Sequence, residues 1–172
     1  MKYKITTLFF FLTFIFNSVQ AKDLMQPTSY SKDLYQVEIL DGNYSKNITH
    51  PDKFLGFGIG ERVASPWQIT NALKQWSTQS DRIKIVEYAK SHEGRPLHAV
   101  FISSPDNIDN LDKIKSDLSA LSDARIINDR QARSLIENLP AVAWMAYSIH
   151  GNETSGADGA LAAIYHLIAS IA

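Results

Sequence analysis

Pro140-Ala141-Val142-Ala143-Trp144-Met145-Ala146-Tyr147-Ser148-Ile149-His150-Gly151-Asn152-Glu153 carries the pattern that decides this chain: an uncharged apolar run, opened by a proline and closed by His-Gly-Asn-Glu. Proline cannot sit inside a helix without losing a hydrogen bond, so Pro140 ends the helix before it. The run from Ala141 to Ile149 is short, apolar and bounded by breakers, and it reads as a strand buried on both faces in the middle of an α/β sheet. Ser155, with Asp158 three residues on, reads as the cap of a helix running from about Gly156 to the end of the chain. In open α/β sheets, functional groups gather where strands stop at their carboxyl ends, and His150 leaves such an end.

Upstream of this run the periodicity changes twice. Leu111, Ile114, Leu118 and Leu121 form one helical stripe, and Ala132, Leu135, Ile136 and Leu139 form another, opened by Asn128 with Gln131 three residues later. Their charged faces are expected to meet solvent. Earlier still, Ile83 to Ala89 is β-branched and roughly alternating, Leu97 to Ser103 is a second apolar strand, and His92-Glu93-Gly94-Arg95-Pro96 lies between them. That arrangement predicts a β-hairpin. Ser65-Pro66 supplies a cap and a first-turn proline for a helix ending near Ser80, whose apolar face is Ile69, Ala72, Leu73 and Trp76.

The N-terminus is a separate matter. Lys2 and Lys4 precede an apolar run from Ile5 to Phe16, and Val19 and Ala21 offer the small residues that a signal peptidase requires. The run is shorter than the ~20 residues needed to cross a bilayer, so residues 1–21 read as a cleaved signal peptide. Residues 22–64 are rich in Ser, Asn, Asp, Tyr, Gly and Pro and read as an extended leader that wraps a domain. Gly56, Gly58 and Gly60 do not have dinucleotide-loop spacing. Asn43 and Asn47 stand in glycosylation-type sequons, which matter only in a host that glycosylates exported chains.

Composition narrows the chemistry. The 172 residues are 45% hydrophobic and carry 17 basic against 18 acidic side chains, a net charge of -1, which suits one globular domain and gives no footprint for nucleic acid. Cysteine is absent, so there is no disulfide, no thiol nucleophile and no lipid-anchored cysteine. A metal site must draw on His, Asp and Glu.

His150 and Glu153 are the candidates. Gly151 and Asn152 tolerate the backbone angles of a tight bend, which turns an imidazole and a carboxylate toward one point. Zinc accepts both donor types, and a hydrolytic site takes three protein ligands and keeps one position for water. Taken alone, the pair also fits a hydrogen-bonded loop histidine and an acid favoured by the helix dipole.

The segment His150-Gly151-Asn152-Glu153-Thr154-Ser155-Gly156 resembles the H-x-x-E zinc motif of the zinc carboxypeptidases of the M14 type. Three further segments resemble that family in the same order: Pro51-Asp52-Lys53-Phe54-Leu55-Gly56, Glu93-Gly94-Arg95-Pro96-Leu97 and Ile102-Ser103-Ser104-Pro105-Asp106-Asn107. The resemblance, to the N-terminal portion of large exported bacterial members, runs from about residue 51 to the end. It implies an α/β fold with a mixed sheet flanked by helices, one catalytic Zn2+, and hydrolysis of peptide bonds near a carboxyl terminus. It implies His150 and Glu153 as zinc ligands and a peptide or protein as substrate. Arg95 keeps a structural place in the hairpin turn.

The family pattern also calls for a second zinc histidine downstream, arginines for the substrate carboxylate and a late glutamate as general base, and none has a counterpart in this chain. His166 lies in the helix after Glu153, about 18 Å or more along its axis, too far to close the same site. His50, His92 and His98 read as solvent-facing or structural. Ala160 to Ala172 is apolar nearly all round and lacks a C-terminal cap, so it expects cover on every side. Residues 65–172 are therefore expected to be the first portion of a longer catalytic domain, inactive alone and exported. Two other readings stand beside this one. One is a zinc-dependent amidohydrolase of N-acyl amino acids, of the aspartoacylase and succinylglutamate desuccinylase kind, which has a similar His-Gly-Asn-Glu segment. The other is a non-catalytic exported binding module.

Overall fold

The structure, a computed structural model, describes residues 38–171. The signal peptide expected over residues 1–21, and the leader as far as residue 37, lie outside the described residues. The element order is α1 (Asp52–Leu55), α2 (Pro66–Gln79), β1 (Ile83–Lys90), β2 (Pro96–Ile102), α3 (Pro105–Asp109), α4 (Leu111–Leu121), α5 (Asp129–Asn138) and α6 (Ser155–Ala169).

Local chemistry explains where α2 begins. Ser65 is extended, its Oγ accepts from the Gln68 amide at 3.4 Å, and the Gln68 side chain accepts from the Ser65 amide at 2.9 Å. Two otherwise orphaned donors are thus satisfied reciprocally, and Pro66 occupies the first turn, where its missing N–H does no harm. The same box recurs at α5, where Asn128 and Gln131 exchange bonds of 3.0 Å each. Both helix starts match the expectation from sequence.

The hairpin also forms as expected. β1 and β2 pair antiparallel from Ile83↔Ile102 to Lys90↔Pro96, with a register irregularity between Glu87 and Ala89. The turn closes through the Ser91 amide to the Arg95 carbonyl at 2.8 Å, and Gly94 supplies the positive φ of 77° that the bend requires.

The core lies between α2, α6, the start of β1 and the residues around α1. Trp76 of α2 is fully buried, and Tyr165 and Leu161 of α6 are nearly so. Ile48, Leu55 and Ala64, from the segment preceding α2, join the same cluster. The Trp76 indole donates from Nε1 to the Thr49 carbonyl at 2.8 Å, so the polar atom of the largest core side chain is satisfied. At the far end of α6, Ser45 donates its amide to Ala169 and Ile171 donates to Asn43, forming a bridge between Tyr44 and Ser170. None of α3, α4 and α5 has a buried residue.

Two expectations are corrected. Ala141 to Ile149 is not a buried central strand: it has no regular structure, and Val142, Trp144 and Ile149 are 66%, 86% and 76% exposed. A strand exists by virtue of a neighbour that takes its ladder bonds, and the sheet among the described residues has only β1 and β2. Helices with a two-stranded antiparallel sheet are compatible with an α/β chain, while the mixed sheet implied by the resemblance is not seen among the described residues. The second correction concerns α6. Ser155 is its first residue and not its cap, Thr154 occupies the cap position without a side-chain bond, and the helix ends at Ala169. Asp158 turns instead to the Ala64 amide, which donates to its Oδ1 at 3.0 Å in a buried setting.

Candidate functional site

Between α5 and α6 the chain turns sharply at Ser148, whose φ of 57° is the only positive value at a non-glycine among the described residues. Two residues on, the His150 carbonyl accepts from the Glu153 amide at 3.0 Å, which closes a turn over Gly151 and Asn152. This small turn brings the side chains together. His150 Nδ1 stands 3.0 Å from Glu153 Oε1, and both side chains are about two-thirds exposed, at 68% and 66%.

Two donors on one tetrahedral zinc, each at roughly 2.0–2.1 Å from the metal, stand about 3.3 Å apart. The imidazole nitrogen and carboxylate oxygen are therefore of the right chemistry and separation to share such an ion. Among the described residues, no group of three His, Cys, Asp or Glu side chains is assembled to hold a metal. The other histidines are placed elsewhere. The Nδ1 atom of His166 is 2.9 Å from the Tyr44 hydroxyl. His50 packs edge-on against Tyr165, with its Nδ1 3.4 Å from an Asp52 carboxylate oxygen. His98 pairs with Glu87 across the hairpin, and His92 is exposed in the hairpin turn, where Arg95 and Glu93 form an ion pair at 2.6 Å.

Sequence reading overlooked two residues that shape this turn. Gly156, in the first turn of α6, faces the backbone of Ser148 so closely that a Cβ there would stand 3.0 Å from the Ser148 nitrogen. A glycine early in a helix hints at such an approach, but nothing in the sequence names Ser148 as its partner.

The family model for zinc carboxypeptidases, peptidase M14, matches residues 69–171, more than half of the chain. The chain belongs to the zinc carboxypeptidase family. None of the curated proteins and none of the solved structures matches it. The zinc carboxypeptidase match begins inside α2 and takes in the hairpin, the exposed run, the His150 turn and α6. Its family-level function is that of a zinc carboxypeptidase-type hydrolase, and the family uses zinc.

Proposed function

We propose that this chain is the N-terminal part of an exported, zinc-dependent metallocarboxypeptidase that hydrolyses peptide bonds at or near the carboxyl terminus of a peptide or protein. On this reading residues 1–21 are a signal peptide, residues 22–64 a leader, and residues 65–172 the opening of an α/β catalytic domain with a mixed sheet flanked by helices. The observation that carries the reading is the 3.0 Å approach of His150 Nδ1 and Glu153 Oε1, within the span matched by the family. His150 contributes an imidazole nitrogen and Glu153 a carboxylate oxygen, and the turn over Gly151 and Asn152 holds both toward one side. When bound, zinc supplies a Lewis acid for the scissile carbonyl and lowers the pKa of its water. The further ligand, the substrate-holding arginines and the general base lie outside this set of residues, so this stretch alone is inactive.

The test uses the full-length gene product and peptides with a free carboxyl terminus. Release of C-terminal residues that a chelator abolishes, zinc restores and His150→Ala removes supports the proposal. Unchanged release by His150→Ala overturns it. Parallel assays on N-acyl amino acids separate an amidohydrolase, which shares the His-Gly-Asn-Glu segment.

A further inference from the structure

The metal pair sits on a loop whose two ends touch. Ser148 lies two residues before His150, and Gly156 lies three residues after Glu153. A Cβ built on Gly156 would stand 3.0 Å from the Ser148 nitrogen and 3.6 Å from its Cα. These are backbone atoms, which cannot swing aside as a side-chain tip does. Ser148 meets the helix in the left-handed conformation, at φ 57°, which a residue bearing a Cβ seldom adopts unless its surroundings hold it there. By contrast, a Cβ on Gly151 or Gly159 would meet nothing within 4 Å. Among the glycines of this loop and α6, only Gly156 makes such an approach, and it is made to backbone atoms.

We infer that the contact between Ser148 and Gly156 sets the separation of His150 and Glu153, and that Gly156 and Ser148 are positioning residues for the zinc pair. The inference rests on the reading of His150 and Glu153 as ligands. His150 is tethered to the loop end at Ser148, whereas Glu153 is tethered to the start of α6. Any group that wedges the two ends apart moves one donor relative to the other, and a metal ion is sensitive to the spacing of its donors. Helix propensity acts in the opposite sense, because alanine favours a helix over glycine at either position 156 or 159. Zinc affinity and the stability of the apo protein are therefore read separately, with Gly159→Ala carrying the propensity gain alone.

The experiment measures zinc affinity of the full-length gene product by competition with a chromophoric chelator, with thermal unfolding of the apo form alongside. Gly156→Ala should weaken zinc binding roughly 10- to 100-fold, the range found for residues that orient metal ligands, in protein that the apo unfolding transition shows to be folded. Gly159→Ala, the control in the same helix, should bind zinc as the parent does. Ser148→Gly should retain affinity, since glycine adopts the left-handed conformation freely, and Ser148→Val should lose it. If Gly156→Ala does not fold, the Ser148 pair decides in its place. Affinity of Gly156→Ala equal to that of Gly159→Ala, or of Ser148→Val equal to that of Ser148→Gly, overturns the positioning role. His150→Ala distinguishes the two levels: retained zinc affinity in that variant overturns the ligand reading itself and the inference with it.

Discussion

The Asp158 carboxylate accepts a hydrogen bond at 3.0 Å from the amide of Ala64, a residue 94 positions earlier, and both residues are buried. One charged acceptor in the first turn of α6 thereby anchors the segment that leads into α2. Asp158→Ala leaves the Ala64 amide without a partner and should destabilise the protein by roughly 1–3 kcal/mol, with Asp158→Asn losing less because it keeps an acceptor. Urea denaturation of the three proteins checks this order.

Trp76 gives a second test of how the same segment is held. Its indole is fully buried and donates to the Thr49 carbonyl at 2.8 Å. Trp76→Phe keeps an aromatic ring in the core but removes the donor, and a loss of about 1–3 kcal/mol is expected. Trp76→Ala should cost about 3–5 kcal/mol, because it also leaves a cavity. Unfolding midpoints in urea that fall equally for both variants would show that the hydrogen bond, not the volume, dominates.

The two serines at helix starts should behave differently. Ser65 makes a reciprocal box with Gln68, so Ser65→Ala should lose roughly 0.5–2 kcal/mol. Ser155 already lies inside α6, and Thr154 at the cap position makes no side-chain bond. Ser155→Ala should therefore leave thermal stability unchanged or slightly raised, as alanine favours a helix interior. The comparison is made by calorimetry on the two single variants.

Alkaline pH supplies a prediction with a definite sign. Burial pushes the Tyr165 hydroxyl above its usual 10.0, aided by the nearby Tyr44 and Asp52. A folded-state value above the unfolded one means that the folded protein holds this proton more tightly. The stability linked to Tyr165 is present below pH 10.0 and is lost as the pH rises through the higher folded value. Tyr165→Phe should flatten that alkaline decline in unfolding midpoint, measured from pH 8 to 11.

Much of the fold is legible in local patterns, because hairpins and capping boxes are decided by residues near one another. The alternating stretch from Ile83, the Gly94 turn and the Ser65 and Asn128 caps all form where the sequence places them. The run from Ala141 to Ile149 shows where such reading stops. Its apolar composition states a demand for burial, but a strand needs neighbours, and none of the described residues supplies one. Asp158 is illegible for a related reason, since its partner is distant in sequence. The meeting of His150 and Glu153 lies between these extremes. A three-residue spacing over Gly-Asn announces that the side chains can approach, while the contact of Gly156 with Ser148 emerges only in three dimensions.

The bridge between Tyr44 and Ser170 has a consequence for the order in which the chain can fold. Closing so long a loop carries an entropic penalty that must be met before the contacts it enables can repay it, and topologies dominated by such pairings fold slowly. Ile48, Leu55 and Trp76 find Leu161 and Tyr165 only after α6 has been synthesised. The hairpin is built from neighbours and needs no such closure. The cluster around Trp76 draws on residues from both ends of the described chain, so it carries the entropic cost of that closure while the hairpin does not.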